Sequence, residues 1–325
     1  MNLLVLGGTV FLGRHFADLA ISQGHRVILF HRGLHGPELF PEATHLLGDR
    51  DGRLEALSDG TWDAVVDCCG YVPRVVRQSA ELLKNRTGRY LFVSTISVYA
   101  DPSKSHLTES DACAALNEAT EEITGETYGA LKALCEEEAR AVYGDRALII
   151  RPGLIAGPYD PTNRFTYWAD RFAKGGRLLA PPRPSQPLQL IDARDLAHFM
   201  LDQLEKEASG TVNVTGPNDS TTWQNMLDAL QVVWPNADPA SLSEDALAAS
   251  EVELWQELPL CLAESDKADG MMRVSIREAL GRGLMLRPWS ETARDTHAWS
   301  QQSPSPTPRH GLDPIKEARA LILEP

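Results

Sequence analysis

Short apolar runs alternate with amphipathic stretches along the first 150 residues of the chain. The runs have the length of buried strands, and the stretches between them have the three- to four-residue apolar spacing of helices. The predicted strands are Asn2–Leu6, Arg26–Phe30, His45–Leu47, Ala64–Cys68, Tyr90–Ser94 and Ala147–Ile150, and the predicted helices are Leu12–Gln23, Val72–Lys84 and Tyr128–Tyr143. This alternation predicts an α/β fold with a doubly wound parallel sheet, whose strands end along one ligand-binding edge.

The pattern changes after Arg151, where proline and glycine make RPGLIAGPYDP and APPRPSQP loops. Strands at Leu188–Ile191 and Thr211–Val214 are predicted to rejoin the sheet. We therefore expect a sheet domain from residues 1–160 plus about 187–215, and a smaller C-terminal lobe from about 161–186 plus 216–300. Residues 301–325 form a tail, in which QQSPSPTP is a predicted linker and Pro314–Leu323 a loosely attached helix.

Net charge, apolar stretches and cysteine count limit the kinds of partner that the chain could bind. The 325 residues carry a formal net charge of −14, which opposes nucleic acid or an anionic membrane surface as the main partner. Apolar stretches stay below the roughly 18 to 20 residues of a membrane span. The five cysteines are odd in number and lack metal-ligand spacing, so we expect reduced thiols, no metal site and a cytoplasmic location.

The segment VLGGTVFLGR, residues 5–14, follows the first predicted strand and opens a helix. Gly7, Gly8 and Gly13 match a dinucleotide-binding turn, in which backbone amides and the helix N-terminus hold a pyrophosphate. Val10 stands where a central glycine is usual. The turn can still work if Val10 keeps a negative φ, whereas a plain strand-to-helix corner is the alternative.

Two residues bear on the choice of cofactor. No acidic residue follows the second strand, where NAD enzymes usually bind the ribose hydroxyls, and Arg32 is there instead. Arg32 could pair with the 2′-phosphate of NADP, so NADP is favoured over NAD, although a solvated loop arginine is the alternative. Asp49 is a candidate to bind the adenine amino group, or else a turn aspartate.

GETYGALKA places Tyr128 and Lys132 on one helix face, four residues apart. A nearby ammonium favours the phenolate of a tyrosine, so Lys132 is predicted to lower the pKa of Tyr128. VSTISVY supplies hydroxyls at the end of the fifth strand, which can donate to a substrate carbonyl while Tyr128 moves the proton. In RFTYWADRF, Arg164, Tyr167 and Trp168 either line a substrate pocket or pack inside the lobe.

These motifs, in this order, resemble the extended short-chain dehydrogenase/reductases, also called the NAD(P)-dependent epimerase/dehydratase superfamily. The resemblance covers about residues 1–300, and the motifs that carry it are GGTVFLG, GDRD, VSTISVY, Tyr128-x-x-x-Lys132, RPGLIAGP and IDARDLA. The resemblance implies a Rossmann fold and hydride transfer between a nicotinamide and a secondary alcohol or ketone carbon, by a reductase or an epimerase. A homodimer is a candidate assembly. The glycine loop is most similar to an atypical branch near the chloroplast stem-loop-binding proteins.

The resemblance assigns catalytic roles to Thr95, Tyr128 and Lys132. Candidate substrate contacts are Ser97, Arg164, Tyr167 and Trp168. The residues expected to bind the cofactor are Gly7, Gly8, Thr9, Phe11, Leu12, Gly13, Arg32, Asp49, Cys69, Lys132 and Pro152.

The chain departs from the family pattern at two places. Ile96 and Ser97 replace the Asp-Glu pair of sugar-nucleotide dehydratases, which argues against elimination of water. Leu154 replaces an asparagine of many nucleotide-sugar members, which argues against a UDP- or TDP-sugar substrate. A small-molecule substrate remains the expected partner. The alternative is a non-catalytic dinucleotide-sensing or nucleic-acid-binding protein on the same fold.

Overall fold

The computed structural model describes residues 1–217, 220–302 and 310–322. The strands are β1 (Asn2–Leu6), β2 (Arg26–His31), β3 (Thr44–Leu47), β4 (Trp62–Asp67), β5 (Thr87–Val93), β6 (Ala147–Pro152), β7 (Leu154–Ala156), β8 (Gly176–Ala180), β9 (Leu190–Asp192), β10 (Gly210–Val214) and β11 (Ala237–Ser241). The helices are α1 (Phe11–Ser22), α2 (Pro73–Leu83), α3 (Tyr128–Tyr143), α4 (Arg164–Ala173), α5 (Ala193–Glu205), α6 (Trp223–Val233), α7 (Glu244–Ala249), α8 (Arg277–Gly281), α9 (Trp289–Gln302) and α10 (Pro314–Ile322).

Seven strands form one parallel sheet in the order β3-β2-β1-β4-β5-β6-β10. The chain order reverses between β1 and β4, which is the point where ligands bind in doubly wound sheets. The predicted fold class is therefore confirmed. The predicted helix Tyr128–Tyr143 has the same bounds as α3, and the other predicted strands and helices of this region agree with the structure to within a few residues.

The prediction that Leu188–Ile191 rejoins this sheet is wrong. β9 pairs instead with β7, in a separate two-stranded parallel sheet. The chain leaves the main sheet after β6, and β7 then lies outside it; pairing with β7 keeps β9 outside as well. The predicted strand Thr211–Val214 does rejoin the sheet, as β10 beside β6.

Alternate side chains of the sheet pack into cores on its two faces. Leu3, Val5 and their neighbours pack against α1 and α5 on one face. Leu4 and Leu6 pack against α2 and α3 on the other face. Burial on both faces explains why these strands are continuous apolar runs in the sequence.

A third apolar cluster belongs to the C-terminal part of the chain. Trp168 of α4 and Trp223 of α6 are fully buried in it, with ring centroids 5.0 Å apart. α10 also packs there through Ala320, and its buried Glu317 accepts hydrogen bonds from Arg171 Nε and the Leu179 backbone. The terminal helix is therefore anchored rather than loosely attached.

Only part of the predicted linker can be described. Gln301 and Gln302 form the end of α9, and residues 303–308 lie outside the described residues. Within the described ranges, no helix has both the length and the apolar character needed to span a membrane.

Gly13, on the buried side of α1, provides a test of this packing. A Cβ at Gly13 would overlap the carbonyl oxygen of Gly7. We expect Gly13→Ala to lower the free energy of unfolding by about 1–3 kcal/mol, because the helix must move away from the turn. Urea denaturation measures the change.

Gly281→Ala is the matched control, because Gly281 is also helical and a Cβ there meets nothing within 4 Å. We expect this variant to be unchanged, or more stable by up to about 1 kcal/mol. Equal stability of the two variants would contradict the close approach of α1 to the turn.

Candidate active site

A cavity of about 770 Å³ lies at the carboxyl edge of the main sheet, among the segments that follow β1 to β6. Large, well-formed cavities with convergent polar groups are the usual places for small ligands. The residues predicted for the site that line it are Gly7, Thr9, Phe11, Leu12, Gly13, Arg32, Asp49, Cys69, Thr95, Ser97, Tyr128, Lys132, Pro152 and Arg164.

Three predicted site residues lie elsewhere. A Cβ at Gly8 would meet the Leu29 side chain, so this glycine serves the packing of β1 on β2. Trp168 is fully buried in the lobe core, where its Nε1 donates to the Pro259 carbonyl at 2.8 Å. Tyr167 packs edge-on against Trp168. Of the three side chains singled out in RFTYWADRF, only that of Arg164 reaches the cavity.

The turn after β1 has room for a bound group although a valine replaces its middle glycine. Val10 has φ −127° and ψ 135°, an extended conformation that any residue adopts. Phe11 takes the positive φ instead, at 39°. Gly7 has φ 87°, and a Cβ there would lie 3.0 Å from Cys69. The backbone therefore approaches the end of β4 closely, as a dinucleotide turn requires.

The segments after β2 and β3 form another part of the cavity wall. Arg32 is exposed there, and Asp49 is partly buried. His31, which we did not predict, is buried beside them; its Nε2 lies 2.8 Å from His45 Nδ1. Its ring is thus held by a neighbouring strand, whereas the Arg32 side chain is exposed.

Below the cavity, Asp67 at the end of β4 has no solvent exposure. Its carboxylate accepts hydrogen bonds from Arg50 at 2.5 Å, Tyr90 at 2.6 Å and the backbone N–H of Cys69 at 3.1 Å. Arg50 also donates to Ser79 at 2.7 Å. The network fixes the turn after β4, which carries Cys69 against Gly7.

Lys132 is buried on α3, and its ammonium lies between two strand ends. It donates to the carbonyl of Val93 and to that of Gly70, each at 2.7 Å. These bonds use two of its three hydrogens, which leaves one for a ligand in the cavity. Burial lowers the pKa of Lys132 to about 8.

Tyr128 meets the end of β5 because α3 approaches it closely. A Cβ at Gly129 would overlap the carbonyl oxygen of Ser97, so only glycine permits this approach. Tyr128 thereby lines the cavity together with Thr95. Thr95 Oγ1 accepts from the Ser97 backbone N–H at 3.1 Å, which fixes its position.

The predicted effect of Lys132 on Tyr128 is not what the structure shows. Burial raises the pKa of Tyr128 above its usual value, and the groups that lower it are Thr95, by a hydrogen bond, and Arg164, by its charge. Lys132 is directed at the two carbonyls instead. Tyr128 is therefore a protonated phenol at neutral pH.

Sequence reasoning missed Tyr71 and Ile123, which also line the cavity. Tyr71 follows the turn after β4, so the rule that ligands bind at the carboxyl ends of parallel strands could have found it. Ile123 lies in the long segment before α3, which has no periodic pattern to place it. Among the described residues, no group of three or more His, Cys, Asp or Glu side chains could hold a metal ion.

The family model described as NAD dependent epimerase/dehydratase family matches residues 3–215, more than half of the chain. The chain belongs to this family. A curated relative, the chloroplast stem-loop binding protein of 41 kDa b from Arabidopsis thaliana, is 28% identical over 236 residues. The match covers 66% of this chain and 58% of that protein's length.

Solved structures share the fold at low identity. UDP-glucuronic acid 4-epimerase from Bacillus cereus, in complex with NAD, is 14% identical with a TM-score of 0.66, covering 93% of this chain and 97% of that one. The Bordetella bronchiseptica enzyme WbmH, in complex with NAD⁺, is also 14% identical with a TM-score of 0.66, covering 94% and 99%.

The pKa of Lys132 gives a test of its burial. The unfolded chain holds this proton up to about pH 10.5 and the folded chain only to about pH 8. Between these values the unfolded state binds more protons, so raising the pH favours folding. We expect the free energy of unfolding of the wild type, relative to Lys132→Met, to rise from pH 8 to pH 10. Urea titrations at several pH values measure this difference.

Lys174→Met removes an exposed lysine and serves as the control, because its difference from the wild type is expected to stay flat over the same range. A flat or falling difference for Lys132→Met would show that its ammonium is not desolvated.

Proposed function

We propose that the chain is an NAD(P)-dependent oxidoreductase, a reductase or an epimerase, that moves hydride between a nicotinamide and the carbon of a secondary alcohol or ketone. The observation that supports this most is the convergence of Thr95, Tyr128 and Lys132 on one cavity that also includes the glycine turn. A protein that only senses a dinucleotide has no need of a partly buried phenol beside a threonine hydroxyl and an ammonium in the same cavity.

The residues of the cavity fit such a cofactor. Gly7 lets the turn pack against Cys69, and Gly13 lets α1 begin close to the turn. The N-terminus of α1, which has no side-chain cap, thereby presents backbone N–H groups at the cavity for a pyrophosphate. Lys132 has one free ammonium hydrogen for a ribose hydroxyl. When bound, the nicotinamide supplies the hydride donor or acceptor.

The side chains divide the proton chemistry between them. Thr95 orients the substrate oxygen by a hydrogen bond, and Tyr128 gives its proton to that oxygen in the reducing direction. The raised pKa of Tyr128 favours the protonated phenol, the form that donates in the reducing direction, but makes it a weaker acid, so donation depends on stabilisation of the phenolate that forms. The charge of Arg164 stabilises the phenolate that remains, so both directions of a reversible reaction are served.

For the cofactor we propose NADP in preference to NAD. The two structural relatives described above contain NAD, whereas this chain has Arg32 and no carboxylate directly after β2. A guanidinium can bind the 2′-phosphate of NADP by paired charged hydrogen bonds. Asp49 remains a candidate for the adenine.

The alternative function takes support from the stem-loop binding relative alone. The net charge of −14 opposes a polyanionic partner, because a phosphate backbone needs a basic surface. The cavity side chains also favour chemistry on a small molecule. We further propose a reducing compartment such as the cytoplasm, because all five cysteines are free.

Removal of the phenol hydroxyl tests the proton transfer. We expect Tyr128→Phe to lower kcat by about 100- to 10,000-fold, because the substrate oxygen loses its proton donor. The affinity for the coenzyme should change little. Coenzyme turnover with an active alcohol or ketone, and coenzyme titration by fluorescence, measure the two quantities.

Tyr143→Phe is the matched control on the same helix, since Tyr143 stacks on Tyr90 in the core rather than lining the cavity. It should retain wild-type kcat. Full activity of Tyr128→Phe would remove Tyr128 from the mechanism.

Arg32→Ala tests the cofactor preference. We expect its affinity for NADPH to fall by about tenfold or more, and its affinity for NADH to stay within about twofold, because only NADPH carries the 2′-phosphate. Arg26→Ala, at an exposed position at the start of β2, should bind both as the wild type does. Unchanged NADPH affinity in Arg32→Ala would refute the role of this arginine.

A further inference from the structure

Arg164 is the first residue of α4 and lines the cavity at the Tyr128 end. Its Nε donates to Thr162 Oγ1 at 3.0 Å, and its guanidinium carbon lies 5.8 Å from the centroid of the Trp255 ring. Within the ranges that the structure describes, no carboxylate lies within ion-pair distance of this guanidinium. Its two terminal nitrogens are therefore available to a ligand.

The two arginines that are buried, among the residues the structure describes, each have a carboxylate partner. Arg50 is paired with Asp67, and Arg151 with Glu136 at 2.7 Å. A buried charge without such a partner is costly, because it loses hydration without compensation. Accordingly, burial lowers the pKa of Arg164. Arg164 is partly buried and lines the cavity, where an oxyanion of a ligand could supply a counter-charge.

Asp160 is the carboxyl group whose charge acts on Arg164, but it is not an ion-pair partner of the guanidinium. Asp160 is 3% exposed, and its Oδ1 accepts from the Thr162 N–H at 2.8 Å and the Thr162 hydroxyl at 2.7 Å. Burial raises the pKa of Asp160, which favours its neutral form. Tyr128 is the other ionisable group that acts on Arg164, and it is protonated at neutral pH.

The start of α4 adds to the positive potential. Asn163, its N-cap residue, makes no side-chain capping hydrogen bond, and the first turn contains no acidic residue. The positive end of a ten-residue helix therefore coincides with the guanidinium. Thr162, the residue that holds Arg164, lines the same cavity and adds a hydroxyl.

We propose that Arg164 binds an oxyanion of the substrate, so that the substrate is an acid, either a carboxylate or a phosphate ester, whose reacting carbon lies beside Tyr128. This inference rests on the proposed function and narrows its substrate class. Arg164 is a specificity residue in this role: its terminal N–H groups pair with the oxyanion and thereby place the alcohol or ketone at Thr95 and Tyr128.

The test compares charged ligands with neutral counterparts. Calorimetric titration of the coenzyme-saturated protein uses 3-hydroxybutyrate against 3-hydroxybutyramide for the carboxylate, and glycerol 3-phosphate against glycerol for the phosphate. The same compounds are then assayed for coenzyme reduction.

We expect one acid to bind at least about tenfold more tightly than its neutral counterpart in the wild type, as charged hydrogen bonds imply. The ratio should fall to about twofold or less in Arg164→Gln and be intermediate in Arg164→Lys, which keeps the charge but loses the paired geometry. If the hydroxybutyrate pair shows this ratio, the oxyanion is a carboxylate; if the glycerol pair shows it, the oxyanion is a phosphate. The ratio is diagnostic because any effect of the variant on Tyr128 acts on both members alike.

Arg277→Gln, an exposed arginine of α8, is the control and should keep the wild-type ratio. An equal ratio in wild type and Arg164→Gln, or no binding of any acid to the wild type, overturns the inference. Turnover of neutral alcohols, with the acids bound no more tightly than their neutral counterparts, would leave the proposed function standing and remove the inference alone. Acid binding that depends on Arg164, with no coenzyme reduction and no epimerisation of the recovered acid on chiral chromatography, would instead refute the proposed function and retain the anion site.

Discussion

The carboxylate of Asp67 is the constraint on which the rest of the site depends. It is fully buried at the sheet's point of reversal, and Arg50, Tyr90 and the Cys69 backbone saturate it. The turn that it fixes carries Cys69 against the first glycine loop and Gly70 to the ammonium of Lys132. One ion pair thus positions two parts of the cavity wall at once. A neutral core there would pack, but it would not hold that backbone N–H.

The two ends of the cavity, the glycine turn and the Tyr128 end, are formed by different kinds of packing. At the glycine turn the absence of side-chain atoms lets the turn, Cys69 and the start of α1 pack closely together. At Tyr128 the chain brings groups together: Gly129 lets α3 approach β5, and burial then raises the pKa of the phenol. The glycine-turn end has the features of a site for a large anionic cofactor, and the Tyr128 end has those of a site for proton transfer.

Periodicity and chain order were sufficient to predict the sheet, its carboxyl edge and the position of Tyr128 and Lys132 on one helix at that edge, because these depend on local patterns. The partner of β9 was not predictable, since strand pairing depends on where the chain leaves the main sheet. The groups that set the pKa of Tyr128 were also not predictable from the sequence. The direction of the Lys132 ammonium is decided by the carbonyls of Val93 and Gly70, which have no sequence signal. Gly8 matched the motif but serves packing.

Helix α4 joins the cavity to the far end of the described chain. Arg164 is its first residue, and Arg171, nearly two turns later, is held by Glu317 of α10. A helix is a stiff rod of about 1.5 Å per residue, so its two ends move together. A ribosome delivers α10 roughly 140 residues after α4. All seven strands of the main sheet are therefore synthesised before α10, whereas the contact that holds Arg171 at the far end of α4 forms only after the terminal helix has emerged.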